Sequence, residues 1–218
     1  MDKIKVIITG TTGMVGEGVL LECLQNDKVE KVLIINRRHY DLSHPKLQEL
    51  LVPDFMKLEN YAAQLSGYDA CFFCAGVTSI GKKEPEYTQL TYDLTLYFAK
   101  VVLQANPGMV FTYVSGQGTD SSEKGRLMWA RVKGKTENDL MKLGFSGEYN
   151  FRPGVMVHFK EQQNVKGYFK PMIWILKKLF PASTLTLQQV GRAMIHAVTK
   201  GYTKSVLEVK DIKDLAGN

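Results

Sequence analysis

Hydrophobic positions along this chain fall into two alternating rhythms, short apolar runs with strand character and longer stretches with a helical period. The first run, Ile4-Lys5-Val6-Ile7-Ile8-Thr9, is β-branched and reads as a strand buried on both faces, and Val19-Leu20-Leu21-Glu22-Cys23-Leu24 beyond a glycine-spaced turn reads as a helix. Lys31 to Ile35 predicts a second strand. His44 to Leu51 predicts a short helix, and Leu51-Val52-Pro53-Asp54-Phe55 the end of a third strand. Tyr68 to Val77 is a fourth strand with its turn, Thr78 to Glu86 a loop, and Tyr87 to Asn106 a long helix stopped by Pro107-Gly108. Met109 to Gly116 is a fifth strand. Ser121 to Gly144 is a helix with Ser121 and Ser122 as candidate caps and Gly144 as terminator, followed by a sixth strand and turn, Glu148 to Val155. In the last third, Tyr168 to Phe180 predicts an apolar helix over the substrate pocket, Thr186 to Thr199 an amphipathic helix, and Ser205 to Val209 a final strand. Strands alternating with helices make the fold class α/β, a doubly wound parallel sheet in one domain over 1–218, with substrate-pocket elements mainly in 155–200.

The first turn carries the chemistry. Gly10, Gly13 and Gly16 give G-x-x-G-x-x-G, in which missing side chains let backbone N–H groups approach a pyrophosphate at a helix N-terminus, although an ordinary strand-to-helix turn can use the same glycines. About twenty residues on, where such a fold reads the adenosine ribose, stands Asn36-Arg37-Arg38 rather than an acid. Neutral and cationic donors there suit a 2′-phosphate, so the expected cofactor is NADP, with NAD less favoured; the bland alternative is a solvated arginine pair. Gly76 ends the fourth strand on the same crevice as Gly10, and Ser115 ends the fifth, where a hydroxyl can reach a substrate. Trp129 and Lys133 are four apart, hence on one helix face.

Composition narrows the rest. With 218 residues, 44% hydrophobic and 23% charged, the chain is an ordinary globular protein, long enough for a large core and short for a separate substrate domain. The net charge of +6 is scattered, with no basic stripe, so nucleic-acid binding is not expected. Pro171 to Leu176 is too short to span a bilayer. Three cysteines and no signal peptide point to a cytoplasmic protein. Cys71-Phe72-Phe73-Cys74 lies within a strand, where residues three apart face opposite ways, and the four histidines have no zinc-like spacing, so no metal is expected. The expected partner is a small-molecule substrate, in a monomer or homodimer.

Taken together, Thr9-Gly10-Thr11-Thr12-Gly13-Met14-Val15-Gly16, Asn36-Arg37-Arg38, Asp54-Phe55, Cys74-Ala75-Gly76, Val114-Ser115, Val132-Lys133-Gly134 and Phe151-Arg152-Pro153-Gly154-Val155 resemble the short-chain dehydrogenase/reductase superfamily, in its atypical branch, over nearly the whole chain. By that resemblance Gly10, Thr11, Thr12, Gly13, Met14, Val15 and Gly16 hold the pyrophosphate, and Arg37 and Arg38 beside Asn36 hold the 2′-phosphate. Asp54 and Phe55 hold the adenine, and Cys74, Ala75, Gly76 and Val77 the ribose. Lys133 binds the nicotinamide ribose, and Pro153, Gly154 and Val155 flank the ring. The family acts through Tyr-x-x-x-Lys with an upstream serine, here Ser115, but Trp129-Ala130-Arg131-Val132-Lys133 places tryptophan at the tyrosine position. An indole N–H donates a hydrogen bond but supplies no proton to a carbonyl oxygen, whereas a phenol beside an ammonium can. Two functions follow, an NADP-dependent oxidoreductase with an altered proton route, and a silent NADP-binding sensor or interaction module.

Overall fold

In the computed structural model, which describes residues 3–159, 161, 162, 164, 179 and 181–217, β1 (Ile4–Thr9) lies near the centre of a seven-stranded sheet. Beside it run β2 (Val29–Asn36) and then the edge strand β3 (Leu47–Leu51). On its other side follow β4 (Ala70–Phe73), β5 (Val110–Val114), β6 (Gly147–Phe151) and a short terminal strand at Val206–Leu207. Every neighbouring pair is parallel.

The strand period of two explains the layers. Val6 and Ile8 join Val32 and Ile34 in one core, whereas Ile7 joins Leu33, Ile35, Cys71 and Phe73 in the other. Over the first core pack α1 (Met14–Gln25) and two C-terminal helices, Leu187–Lys200 and Val209–Ala216. Over the second pack α2 (Ala62–Leu65), the helix Leu94–Ala105 and the helix Met128–Leu140. The doubly wound α/β sheet is therefore as expected, and Cys71 and Cys74 do face opposite cores. Chain order reverses between β1 and β4, the place where open parallel sheets bind ligands beyond their carboxyl ends.

Several elements differ from the sequence reading. The short helix expected over 44–51 is the strand β3, because Leu47 to Leu51 pairs with Val32 to Asn36 of β2 and so satisfies its backbone in the sheet. That strand ends at Leu51, and Asp54, expected at its end, instead caps a 3-10 helix, Phe55–Tyr61, by accepting from the Met56 N–H at 3.0 Å. Helix begins at Glu84 rather than Tyr87: α3 (Glu84–Thr88) passes through a π turn, Gln89–Asp93, into α4 (Leu94–Ala105). The next helix, α5 (Met128–Leu140), starts seven residues later than Ser121. Ser121 and Ser122 are not its caps, since Asp120 draws the chain into a turn, its carboxylate accepting from Ser122 N–H at 3.0 Å and Gly125 N–H at 2.6 Å.

Past β6, the short strands β7 (Val155–Val157) and β8 (Thr184–Thr186) pair in a small separate sheet, with β9 (Val206–Leu207) back in the main one. The helix α6 (Leu187–Lys200) opens on a capping box between Thr186 and Gln189. A final helix, α7 (Val209–Ala216), follows where only a strand was expected. The helix expected over 168–180 lies outside the described residues, apart from Leu179.

Candidate functional site

The turn between β1 and α1 is pressed against the end of β4. Gly10 has φ +73°, and a Cβ there would lie 2.7 Å from the Cys74 carbonyl and the Ala75 nitrogen. Only glycine fits this conformation and this approach. Ala75 N–H donates to Thr9 Oγ1 at 3.1 Å, tying the two strand ends together, and a Cβ on Gly16 would collide with the Gly10 carbonyl. Gly13 precedes α1 without a side-chain cap, so among the described residues no capping side chain covers the first-turn amides beside the crevice.

A cavity of about 620 Å³ opens there, lined by Gly10, Thr12, Gly13, Asn36, Arg37, Arg38, Phe55, Cys74, Ala75 and Gly76 among others. A neighbouring one of about 550 Å³ shares Arg37, Phe55, Ala75 and Gly76 and adds Asp54, Val77, Gln89 and Leu90. The glycine turn, the residues after β2, the Asp54–Phe55 corner and the Cys74–Val77 turn thus meet around one crevice. Thr11 is buried, and its hydroxyl donates to Asn36 Oδ1 at 2.9 Å. The Asn36 amide in turn donates to Glu49 Oε1 at 3.1 Å, so this asparagine is engaged within the protein. Arg37 and Arg38 are exposed, and among the described residues no carboxylate pairs with either.

Ser115, Trp129 and Lys133 form a second group, at the carboxyl end of β5 and the start of α5. None of them lines the two cavities. Ser115 Oγ points away from open solvent, donating to Glu137 Oε1 at 2.5 Å and Phe151 O at 3.2 Å. Lys133 Nζ donates to the Ser115 carbonyl. Burial pushes its ammonium down to about 8, against the opposing pull of Glu137. The six-membered ring of Trp129 lies over Gly118 in the loop after β5, with Cη2 3.6 Å from where a Cβ would stand. Gly154 packs so closely against the Ser183 carbonyl and Gln117 Oε1 that a Cβ would meet them at 2.5 and 2.7 Å. Pro153 accepts from Gln117 N–H at 3.0 Å, which brings the Pro153–Val155 turn beside the Ser115 loop.

Sequence reading missed the charges behind this group. Glu137 is fully buried, and Arg152 spans it with Nε at 3.0 Å from Oε1 and Nη2 on Oε2, while Arg152 Nη1 reaches Glu208 at 3.1 Å. Glu137 stands four residues beyond Lys133, so helical spacing held the signal. In the sequence Arg152 stands out only as part of the Phe151–Val155 motif.

Glu148 on β6 lies near the same carboxylate. Asn150 Nδ2 donates to its Oε2 at 2.9 Å, whereas its Oε1 and Asn150 Oδ1 are buried without partners among the described residues. Burial, with the Glu137 charge adding, pushes the Glu148 carboxyl up to about 9. The folded protein then holds a proton that the unfolded chain releases near the ordinary glutamate value. This contribution is complete below that value and is lost as pH rises towards 9, at about 1.4 kcal/mol per pH unit. Glu148→Gln keeps the shape and does not titrate, so denaturant midpoints between pH 5.5 and 8.5 should fall less steeply with pH than in the parent. Equal slopes would show that Glu148 is ionised in the fold.

A sequence model of the NAD dependent epimerase/dehydratase family matches residues 6–121. Protein HTATIP2 of Rattus norvegicus is 28% identical over 182 residues, covering 83% of this chain and 72% of its own. Protein FMP52, mitochondrial, of Debaryomyces hansenii is 26% identical, covering 90% of this chain and 88% of its own. Among solved structures, the Bordetella bronchiseptica enzyme WbmF in complex with NAD+ superposes with a TM-score of 0.70 at 14% identity, covering 99% of this chain and 77% of that one. A short chain dehydrogenase family protein from Francisella tularensis gives 0.68 at 14% identity, covering 94% and 96%. These two likenesses establish the fold. Among the described residues no helix is long and apolar enough to cross a membrane.

Proposed function

Because the chain belongs to the NAD dependent epimerase/dehydratase family, we propose that it binds NADP(H) across the β1/β4 crevice and acts as a short-chain-type oxidoreductase on a small carbonyl or alcohol. The observation that carries the reading is Arg37 and Arg38, exposed and without a carboxylate partner among the described residues, on the rim of a cavity whose floor is the glycine turn. The group fits this donor set: uncovered amides for a pyrophosphate, two guanidinium groups for a 2′-phosphate, and an approach at Gly10 that a side chain would fill.

In this assignment Gly10 to Gly16 face the pyrophosphate, Asp54 and Phe55 the adenine, and Cys74 to Val77 the ribose. Lys133 serves the nicotinamide ribose and Pro153 to Val155 the ring. When bound, the nicotinamide supplies or accepts hydride. The chain's own residues must then orient a carbonyl and deliver its proton, the task for which Trp129 is ill suited.

Titration calorimetry should give at least about tenfold tighter binding of NADPH than NADH, the discrimination expected of one or two charge-assisted contacts. Equal affinities would overturn the NADP assignment. The second reading, a silent NADP-binding sensor or interaction module, is favoured by one pair of facts: tryptophan at position 129, and a Ser115 hydroxyl committed to Glu137. NADPH oxidation with a panel of carbonyl compounds separates the two. The free thiols Cys23, Cys71 and Cys74 suit a reducing compartment such as the cytoplasm, although the fungal relatives bear the word mitochondrial in their names.

A further inference from the structure

Glu49 belongs to no motif in the sequence, yet three groups from the end of β2 and the loop after it converge on its carboxylate. Oε1 accepts from Asn36 Nδ2 at 3.1 Å and from the Tyr40 N–H at 2.9 Å, and Oε2 pairs with His39 Nδ1. The side chain is only 16% exposed. Tyr40 is held a second time, its hydroxyl donating to the buried Glu17 at 3.0 Å, and Asn36 a second time by Thr11. Both ends of the segment Asn36 to Tyr40 are therefore clamped. Arg37 and Arg38, in the middle, keep their side chains at the cavity.

We propose that Glu49 is a positioning residue that sets nucleotide selectivity: by gathering Asn36, His39 and Tyr40 it fixes the Arg37–Arg38 segment on the cavity rim with both of its own oxygens engaged, so that the site favours a 2′-phosphate over a ribose 2′-hydroxyl. The inference rests on the cofactor reading above. A carboxylate left unengaged beside the end of β2 would do the opposite, accepting from the 2′-hydroxyl and repelling a phosphate. Here the two acceptor positions on Oε1 are filled by protein donors, and Oε2 is turned to His39.

The sign of one measurement separates positioning from charge alone. Removing a negative charge near an anion tightens binding if charge is all that matters, whereas releasing the clamp weakens it. The probes are adenosine 2′,5′-bisphosphate and adenosine 5′-monophosphate, titrated calorimetrically with no turnover required. In Glu49→Ala the preference for the bisphosphate should fall at least about tenfold, while Glu49→Gln, which retains an oxygen at Oε1 for Asn36 and Tyr40, should stay within about threefold of the parent. If Glu49→Ala does not fold, Glu49→Asp takes its place, since the shorter arm withdraws the acceptor but keeps the charge, and the same fall is expected. An unchanged or increased preference in the folded alanine or aspartate variant overturns the inference. Failure of the parent to prefer the bisphosphate at all overturns the cofactor reading itself, which is a different result from a parent that discriminates and variants that do so equally well.

Discussion

Replacing Arg37 and Arg38 together by alanine should abolish the preference for NADPH and leave NADH binding nearly unchanged. Both side chains are exposed on the cavity rim with no described carboxylate to neutralise them, so their charge is available to a ligand. Charge-assisted hydrogen bonds contribute about 1.5–3 kcal/mol each, and the pair should be worth about 10²- to 10⁴-fold in affinity. Exposure and salt move the value towards the lower end, and the loss should shrink as ionic strength rises. Thermal stability should hold, because neither side chain is in either core and the hydrogen bonds that hold Asn36 and Tyr40 do not use them. Titrations of parent and variant with both nucleotides at low and moderate salt test this directly. A variant that loses NADH binding in parallel would mean that the loop had been disrupted, and one that still prefers NADPH would place the 2′-phosphate elsewhere.

Much of this arrangement is legible in the sequence. β1, α1 and β2 follow from apolar runs buried on both faces, and the strand at Lys31–Ile35 is found in register with its neighbour β1, Lys5 opposite Lys31 and Thr9 opposite Ile35. The glycine turn needed only its spacing and its place between strand and helix. The stretch 44–51 failed for a different reason. Leu47-Gln48-Glu49-Leu50-Leu51 has no clean alternation, being an edge strand with one partner, and its strand character comes from pairing with β2 rather than from its own composition. The late start of α5 has a similar origin, since a single carboxylate, Asp120, closes the turn that Ser121 and Ser122 were expected to leave. At the site, the sequence could place Ser115 at a strand end and Lys133 on one helix face with Trp129 but could not say where the hydroxyl points. That depends on Glu137, brought beneath Ser115 only when α5 docks on β5, and on Arg152 arriving from β6. Glu49 was illegible for the same reason, because its three donors lie about ten residues away in sequence and meet it only through strand pairing.

Trp129→Tyr should raise NADPH-dependent carbonyl reduction well above the level of the parent protein. Position 129 is one helical turn before Lys133, so a phenol there shares a helix face with that ammonium. Lys133 is already held against the Ser115 carbonyl and its proton is loosened towards about 8, which leaves it largely charged near neutrality and able to favour ionisation of a neighbouring phenol. General acid catalysis by a positioned side chain is typically worth 10²- to 10⁴-fold, and a gain of at least about a hundredfold over the parent is expected on some member of a carbonyl panel. The recovered rate should decline above about pH 8, as Lys133 loses its proton, whereas a rate limited by the phenol alone would persist to higher pH. Trp129 is partly exposed and its ring covers Gly118, so the smaller tyrosine uncovers that loop rather than opening a sealed void in the core. The expected loss of stability is accordingly below the range seen for large-to-small changes in a core. The variant must be shown to fold and to bind NADPH as the parent does. If it does both and gains nothing on any carbonyl, the missing phenol is not what limits chemistry. The commitment of Ser115 to Glu137 then becomes the decisive feature, and the sensor or interaction-module reading takes the place of the latent reductase.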